Sequence, residues 1–178
     1  MLRCGGVPRL LGIARDNLEE MTAKLEEGLG ADLLITSAGV SKGDYDFVKE
    51  VLQERGEVTF WSVRMRPAKP LAFGLVEGVP VFGLPGNPVS SMVSFELFAR
   101  PALRAMSGHV DLERPRVQAR VVGGLQRHAD RKVHFGRIVV EYRDRRYLVD
   151  SAGRQASHQL TALAPATVLA GLPGGEGV

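Results

Sequence analysis

The residues best suited to chemistry lie in two loops that are rich in small side chains. The first loop runs from Thr36 to Asp46 and the second from Gly83 to Ser91, and each follows a short apolar run and precedes a helical pattern. Glycine lets the backbone approach a ligand closely, and small hydroxyl residues add short hydrogen-bond donors. Two such loops predict a site for a ligand that carries phosphate or another oxyanion.

Two carboxylates, Asp44 and Asp46, stand at the end of the first loop. Anion binding alone does not require them, so they predict that a hard cation such as Mg²⁺ joins the ligand. Ordinary structural roles are the alternative, because Asp44 can cap the following helix and Asp46 can complement the helix dipole. The residues alone leave both interpretations open.

A cationic segment lies between the two loops. Arg64, Arg66 and Lys69 supply its positive charges, and Pro67 and Pro70 keep it out of a helix. Positive side chains between two anion-binding loops are consistent with the same oxyanionic ligand.

Composition excludes several classes of protein. The chain has 178 residues and a net charge of +3, with the excess positive charge after residue 107. Cys4 is its single cysteine, so neither an intrachain disulfide nor a cysteine-rich metal site is possible. We predict no nucleic-acid binding, because no RNA-binding or helix-turn-helix signature is present. We also predict no membrane span and, because no signal peptide is recognisable, a cytoplasmic location.

Common nucleotide-binding motifs and histidine metal sites are also poor matches. The first loop lacks both the Lys-Ser/Thr ending of a P-loop and the full glycine fingerprint of dinucleotide-binding folds. The four histidines lack the spacing of metal ligands, which favours surface or structural roles for them.

The elements that position the first loop alternate between helix and strand. Asp16 or Asn17 is predicted to cap a helix that ends at Gly28 or Gly30, and residues 32–35 read as a buried strand. A second helix is predicted to stop at Gly56, before a strand over residues 58–63. This alternation predicts a right-handed parallel α/β layer.

The second loop is predicted to join a hairpin to a long helix. Residues 71–76 and 79–84 flank a Glu77-Gly78 turn. Asn87 caps and Pro88 begins a helix that continues to about residue 104. Pro101 is expected to kink that helix, whose predicted apolar face contains Val89, Met92, Val93, Leu97 and Leu103.

The last part of the chain has a β-rich pattern. Residues 117–121, 134–142 and 147–149 alternate between apolar and polar side chains, which predicts a small β-barrel or sandwich. We therefore predict two domains, an α/β domain over residues 1–107 and a β-module over residues 108–178.

Three ordered motifs resemble the molybdopterin molybdenumtransferase family, known as MoeA in bacteria and the gephyrin E domain in animals. That family has a Thr/Ser-Gly-Gly-Val-Ser-x-Gly-x-x-Asp loop, a Lys-Pro-Gly-Lys-Pro segment and a Leu-Pro-Gly-Asn-Pro-Val-Ser loop, and residues 84–90 match the third without change. Ala38 and Ala68 stand at glycine positions of the family, and Arg66 stands at a lysine position. The resemblance implies a three-layer MogA-like α/β domain followed by the β-module.

The resemblance also implies roles for individual residues. Asp46 is implied to be a catalytic acid and the Mg²⁺ ligand, and Arg66 and Lys69 are implied to be catalytic cations that hold molybdate and phosphate. The implied substrate-binding residues are Ser37, Ala38, Gly39, Val40, Ser41, Gly43, Asp44, Pro85, Gly86, Asn87, Pro88, Ser90, Arg131 and Ser157. Arg131 and Ser157 are assigned to face the oxyanion from the β-module, and surface turn roles are the alternative for both.

The function implied by the resemblance is the insertion of molybdate into adenylylated molybdopterin, with release of AMP. The alternatives are a MogA-type molybdopterin adenylyltransferase and a non-catalytic fragment that binds molybdopterin or acts as a scaffold. Family members are longer, and only ten residues precede the match at Leu11. We therefore expect an N-terminally incomplete α/β domain, weak or absent activity of this chain alone, and a homodimer or other self-association.

Overall fold

A computed structural model describes residues 1–15, 17–39, 47–125, 130–152 and 168–172, with the backbone alone for residues 47–50. A 3₁₀ turn spans Leu2–Cys4, and the helices are α1 (Leu18–Gly28), α2 (Phe47–Arg55), α3 (Pro88–Ser94), a π-helical turn (Phe95–Ala99) and α4 (Arg100–Met106). The strands are β1 (Leu34–Ser37), β2 (Gly56–Ser62), β3 (Met65–Arg66), β4 (Pro70–Val76), β5 (Val79–Leu84), β6 (Arg120–Val121), β7 (Val133–Arg143), β8 (Arg146–Ser151) and β9 (Val168–Leu172). Among the described helices, none is long and apolar enough to cross a membrane.

Helix α1 begins and ends close to where the sequence predicts. The Asn17 Oδ1 atom accepts a hydrogen bond of 2.9 Å from the Glu20 N–H, so Asn17 is the cap. The Glu20 carboxylate accepts from the Arg15 N–H at 2.9 Å. Gly28 ends the helix against β1, and a Cβ at this position would lie 2.6 Å from Leu34 Cδ1. A glycine is therefore needed where the helix packs on the sheet.

The first sheet has the strand order β1-β5-β4-β2 and is mixed. Strands β1 and β5 are parallel, whereas β4 is antiparallel to both of its neighbours, β5 and β2. Strands β1, β5 and β2 therefore run in one direction, as the predicted α/β alternation requires, and β4 alone is reversed. The predicted Glu77-Gly78 turn, where φ is +51° and +84°, accounts for this reversal, because a two-residue turn makes the strands it joins antiparallel.

Apolar side chains cover both faces of this sheet, which gives three layers. Helices α1 and α2 pack on one face through Leu25, Val51 and Leu52, against strand residues that include Ala72, Val76 and Val81. The π-helical turn and α4 cover the other face, where Ala99 packs with Leu71, Phe82 and Leu84. The predicted three-layer α/β fold is confirmed, because alternate residues of β4 and β5 point into opposite cores.

The helix after the second loop is less regular than predicted. It begins at Pro88 but passes through the π-helical turn before α4, and the Arg100 N–H bonds to the Phe95 carbonyl, five residues back. The wider turn lies directly before Pro101, whose missing N–H removes an ordinary α-helical bond. Met92 is 54% exposed, so its predicted place on the buried face is wrong.

The second sheet takes one strand from the first half of the chain. Its order is β3-β7-β8-β6, and β9 pairs with β7 on its other side. Strand β3 is parallel to β7, with Met65 opposite Val133 and Arg66 opposite His134. The cationic segment thus connects the first sheet to the second.

Candidate functional site

The two predicted loops meet at one edge of the first sheet. Ser37 at the end of β1 lies opposite Leu84 at the end of the parallel strand β5, so both loops leave in the same direction. The Ala38 N–H donates to the Leu84 carbonyl at 3.0 Å, and the Ser37 hydroxyl donates to the Pro85 carbonyl at 3.4 Å. Open α/β sheets bind ligands at the carboxyl ends of such strands.

A cavity of about 350 Å³ lies where the loops meet, and we call it the loop cavity. Its lining residues are Ala38, Gly39, Pro70, Pro85, Gly86, Asn87 and Ser90. Small-molecule sites in proteins start at about this size. None of these described side chains carries a formal charge, so this part of the cavity offers a ligand backbone groups and small polar side chains.

The backbone at the loop cavity leaves little room for side chains. Ala38 has a φ of +89° and Gly39 a φ of +78°, a conformation that glycine adopts without strain. A Cβ at Gly86 would lie 3.1 Å from the Ala38 Cβ, which is tighter than an ordinary contact. Asn87 and Ser90 also line the loop cavity, where the Asn87 Oδ1 atom accepts from the Ser90 N–H at 3.3 Å and caps α3.

The structure brings together part of the predicted substrate-binding set. Six of the predicted residues line the loop cavity: Ala38, Gly39, Pro85, Gly86, Asn87 and Ser90. Ser37 and Pro88 each adjoin a lining residue in the sequence. The Ser37 hydroxyl also donates to the Pro85 carbonyl, and Pro88 is the first residue of α3. Five others lie outside the described residues: Val40, Ser41, Gly43, Asp44 and Ser157, as does the predicted catalytic Asp46.

The predicted cations are not part of the loop cavity. The sequence analysis assigned Arg66 and Lys69 to the same oxyanionic ligand as the loops, but of this segment only Pro70 lines the loop cavity. Arg66 belongs to β3, and pairing with β7 draws it toward the second sheet. Lys69 is exposed, and its carbonyl accepts from the Val63 N–H at 2.8 Å. Four peptide links separate Arg66 from Pro70, so their Cα atoms are at most about 15 Å apart.

Arg66 lies in a group of charged side chains that the sequence analysis did not identify. Asp130 is its centre, and the Asp130 Oδ1 atom accepts from His134 Nε2 at 2.7 Å. The Asp130 Oδ2 atom accepts from Lys132 Nζ at 3.0 Å and lies 3.9 Å from an Arg66 guanidinium nitrogen. We call Arg66, Asp130, Arg131, Lys132 and His134 the cation cluster.

The cation cluster keeps its single carboxylate ionised. The hydrogen bond from His134 and then that from Lys132 hold the pKa of Asp130 well below its usual range. Arg131 follows Asp130 directly, is exposed and has a φ of +55°. The sequence carries only a weak signal for this cluster, the clustering of charged residues just before the predicted strand over residues 134–142.

Metal-ion sites of the usual composition are not found in the part of the chain that the structure describes. No three or more His, Cys, Asp or Glu side chains are grouped there so that they could hold an ion. Asp46, the predicted Mg²⁺ ligand, is outside that part.

A second, larger cavity of about 730 Å³ follows α4 and contains none of the predicted residues. Two of its arginines bind the backbone of the segment that crosses it. Arg100 donates to the Leu112 carbonyl at 2.9 Å, and Arg104 donates to the Asp111 carbonyl at 2.7 Å. These bonds secure the segment between the two sheets and indicate a structural role.

Comparisons with known proteins agree on one family. The family model described as "Probable molybdopterin binding domain" matches residues 2–105. Molybdopterin molybdenumtransferase of Haemophilus influenzae is 36% identical over 154 residues, which cover 85% of this chain and 38% of that protein. Molybdopterin molybdenumtransferase 2 of Mycobacterium tuberculosis is 39% identical over 167 residues, which cover 90% of this chain and 40% of that protein.

One solved structure and one further relative show the same relationship. A molybdopterin biosynthesis moea protein from Pyrococcus horikosii superimposes with a TM-score of 0.75 and 27% identity, over 98% of this chain and 41% of that one. Gephyrin of Dictyostelium discoideum is 35% identical over 92% of this chain, which covers 26% of gephyrin. The chain thus spans less than half the length of these relatives. With the family model matching more than half of its residues, this chain belongs to the family of probable molybdopterin binding domains.

Proposed function

We propose that this chain binds molybdopterin and places the phosphate of that ligand at the loop cavity. The observation that carries the proposal is the meeting of two loops at the ends of parallel strands, around a cavity that the described residues line with backbone and small uncharged side chains. Backbone N–H groups and small polar side chains suit a phosphate, because they approach it closely and donate hydrogen bonds.

The reaction we propose is the transfer of molybdenum to adenylylated molybdopterin, with molybdate as the second substrate and AMP as a product. The relatives named molybdopterin molybdenumtransferase support this assignment. In our proposal Arg66, Lys69 and Arg131 attract molybdate, because planar guanidinium groups and ammonium groups stabilise tetrahedral oxyanions. The segment from Arg66 to Pro70 runs between the cation cluster and the loop cavity, so both sites can serve one extended ligand.

Three further parts of the proposal depend on the sequence. Asp46 would hold Mg²⁺, which would neutralise charge on the phosphates. Self-association as a homodimer is supported by the same family resemblance. A cytoplasmic location is supported by the single cysteine, because disulfide-rich chains are typical of oxidising compartments.

A non-catalytic role in molybdopterin binding is the second candidate. One observation favours it: Arg66 and Lys69 lie outside the lining of the loop cavity. In this alternative the ligand binds but no reaction follows.

One experiment separates these candidates. The purified 178-residue chain is mixed with adenylylated molybdopterin and molybdate, while ligand binding and AMP release are measured in parallel. We expect binding with slow AMP release. Binding without AMP release would favour the non-catalytic role, and absence of binding would contradict both.

A further inference from the structure

We propose that Asp130 is a positioning residue, which holds Arg66 and Arg131 so that both can face one oxyanion. The inference rests on the proposed function, because that function makes these two arginines anion-binding residues. Asp130 itself would repel the anion, so its contribution must act through its neighbours.

Arg66 reaches Asp130 because of a tertiary strand pairing. Strand β3 is only two residues long and pairs with the start of β7, where Arg66 lies opposite His134. The Val133 N–H donates to the Arg64 carbonyl at 3.0 Å and extends this pairing by one bond. The Asp130 carboxylate then lies 3.9 Å from the Arg66 guanidinium, whose side chain is 55% exposed. A long exposed side chain gains a preferred direction from such a charge.

Arg131 depends on Asp130 in a different way. Its φ of +55° is uncommon for a residue with a large side chain. The Asp130 Oδ1 atom accepts from the Lys132 N–H at 3.3 Å, and this bond spans Arg131. Asp side chains stabilise turns through this pattern of bonding to the backbone two residues further along the chain. The same carboxylate therefore shapes the turn that presents Arg131.

The charges of the cluster leave an excess for an anion. Lys132 and His134 bind Asp130 at 3.0 and 2.7 Å, whereas Arg66 is more distant and Arg131 is exposed. With respect to the described residues, the two arginines thus keep most of their guanidinium donors available. The Asp130 side chain is 21% exposed, so these contacts are partly shielded from solvent.

The test compares three variants at Asp130 with a matched control. Asp130→Asn keeps an oxygen acceptor for the turn but loses the charge, Asp130→Ala loses both, and Asp130→Glu restores the charge. The control is Asp144→Asn, which removes one carboxylate from the turn at the opposite end of β7. Side-chain NMR of ¹⁵N-labelled arginine, with signals assigned through Arg66→Lys and Arg131→Lys, reports the order of each guanidinium. Calorimetric titration with molybdate reports anion binding.

We expect Asp130→Ala to reduce the order of both arginines and to weaken molybdate binding about fivefold. Asp130→Asn should mainly affect Arg66, Asp130→Glu should recover part of the loss, and Asp144→Asn should match the wild type. Tighter molybdate binding in Asp130→Ala, with unchanged arginine order, would show that the carboxylate only competes with the anion and would overturn the proposal. If the wild type binds no molybdate, the proposed function fails, and the arginine order still decides whether Asp130 positions the two side chains.

Discussion

The loop cavity and the cation cluster are built in opposite ways. Short contiguous motifs form the loop cavity, and among the described residues that line it no side chain carries a formal charge. The cation cluster consists of charged side chains from two segments that are 64 positions apart in the chain, joined by the β3–β7 pairing. The comparison shows that a local arrangement of backbone and a long-range assembly of charged side chains can form in the same small chain.

The largest effect that we predict tests whether the loop cavity depends on small residues. Gly86→Ala places a Cβ 3.1 Å from the Ala38 Cβ. Overpacking of this kind costs about 1–3 kcal/mol of stability, and we expect molybdopterin binding to weaken about tenfold, equivalent to about 1.4 kcal/mol. Thermal unfolding and a binding titration measure the two effects.

Two further variants sharpen this test. Gly30→Ala is the matched control, because its Cβ would meet only an ordinary contact of 3.7 Å with the Glu27 carbonyl. The double variant Ala38→Gly with Gly86→Ala removes the opposing methyl group and should recover most of the stability. Normal binding by Gly86→Ala alone would show that the ligand does not enter between these two residues.

A pH series tests the cation cluster. Because the folded state lowers the pKa of Asp130, its carboxylate stabilises the fold above the unfolded pKa of about 3.9. That contribution is lost as the pH falls toward the folded pKa. We expect Asp130→Asn to have a lower Tm than the wild type at pH 7 and a deficit that begins to shrink as the pH falls below about 3.9, whereas Asp144→Asn should show no such trend. A deficit that is constant with pH would contradict the assignment of Asp130 as the ionised centre of the cluster.

The smallest effect that we predict compares two alanines that both have positive φ. Ala38 and Ala68 have φ values of +89° and +73°, a region that costs a residue with a side chain about 1–2 kcal/mol. Ala38→Gly should therefore raise the Tm by about 2–4 °C. Ala68 is 4% exposed and packs with Met65 and Val93, so Ala68→Gly also loses about 0.8 kcal/mol of buried methyl group and should change the Tm little. Equal Tm increases would show that packing of the Ala68 methyl is unimportant.

Local sequence signals determined much of the fold. Asn17 and Asn87 each cap a helix as predicted, because their side chains satisfy N–H groups of the first turn in any tertiary setting. Glu77-Gly78 forms the predicted two-residue turn. The two loops could also be found from sequence, since residues that follow neighbouring parallel strands must leave the sheet at the same edge.

Tertiary structure alone decided which charged groups meet. Met65 and Arg66 form the two-residue strand β3 only because β7 supplies the hydrogen-bonding partners of β3. No local pattern predicts a pairing across more than 60 residues. Asp130 acquires its role from this assembly: its spacing to Lys132 and His134 is visible in the sequence, but its contact with Arg66 exists only after the two sheets are joined.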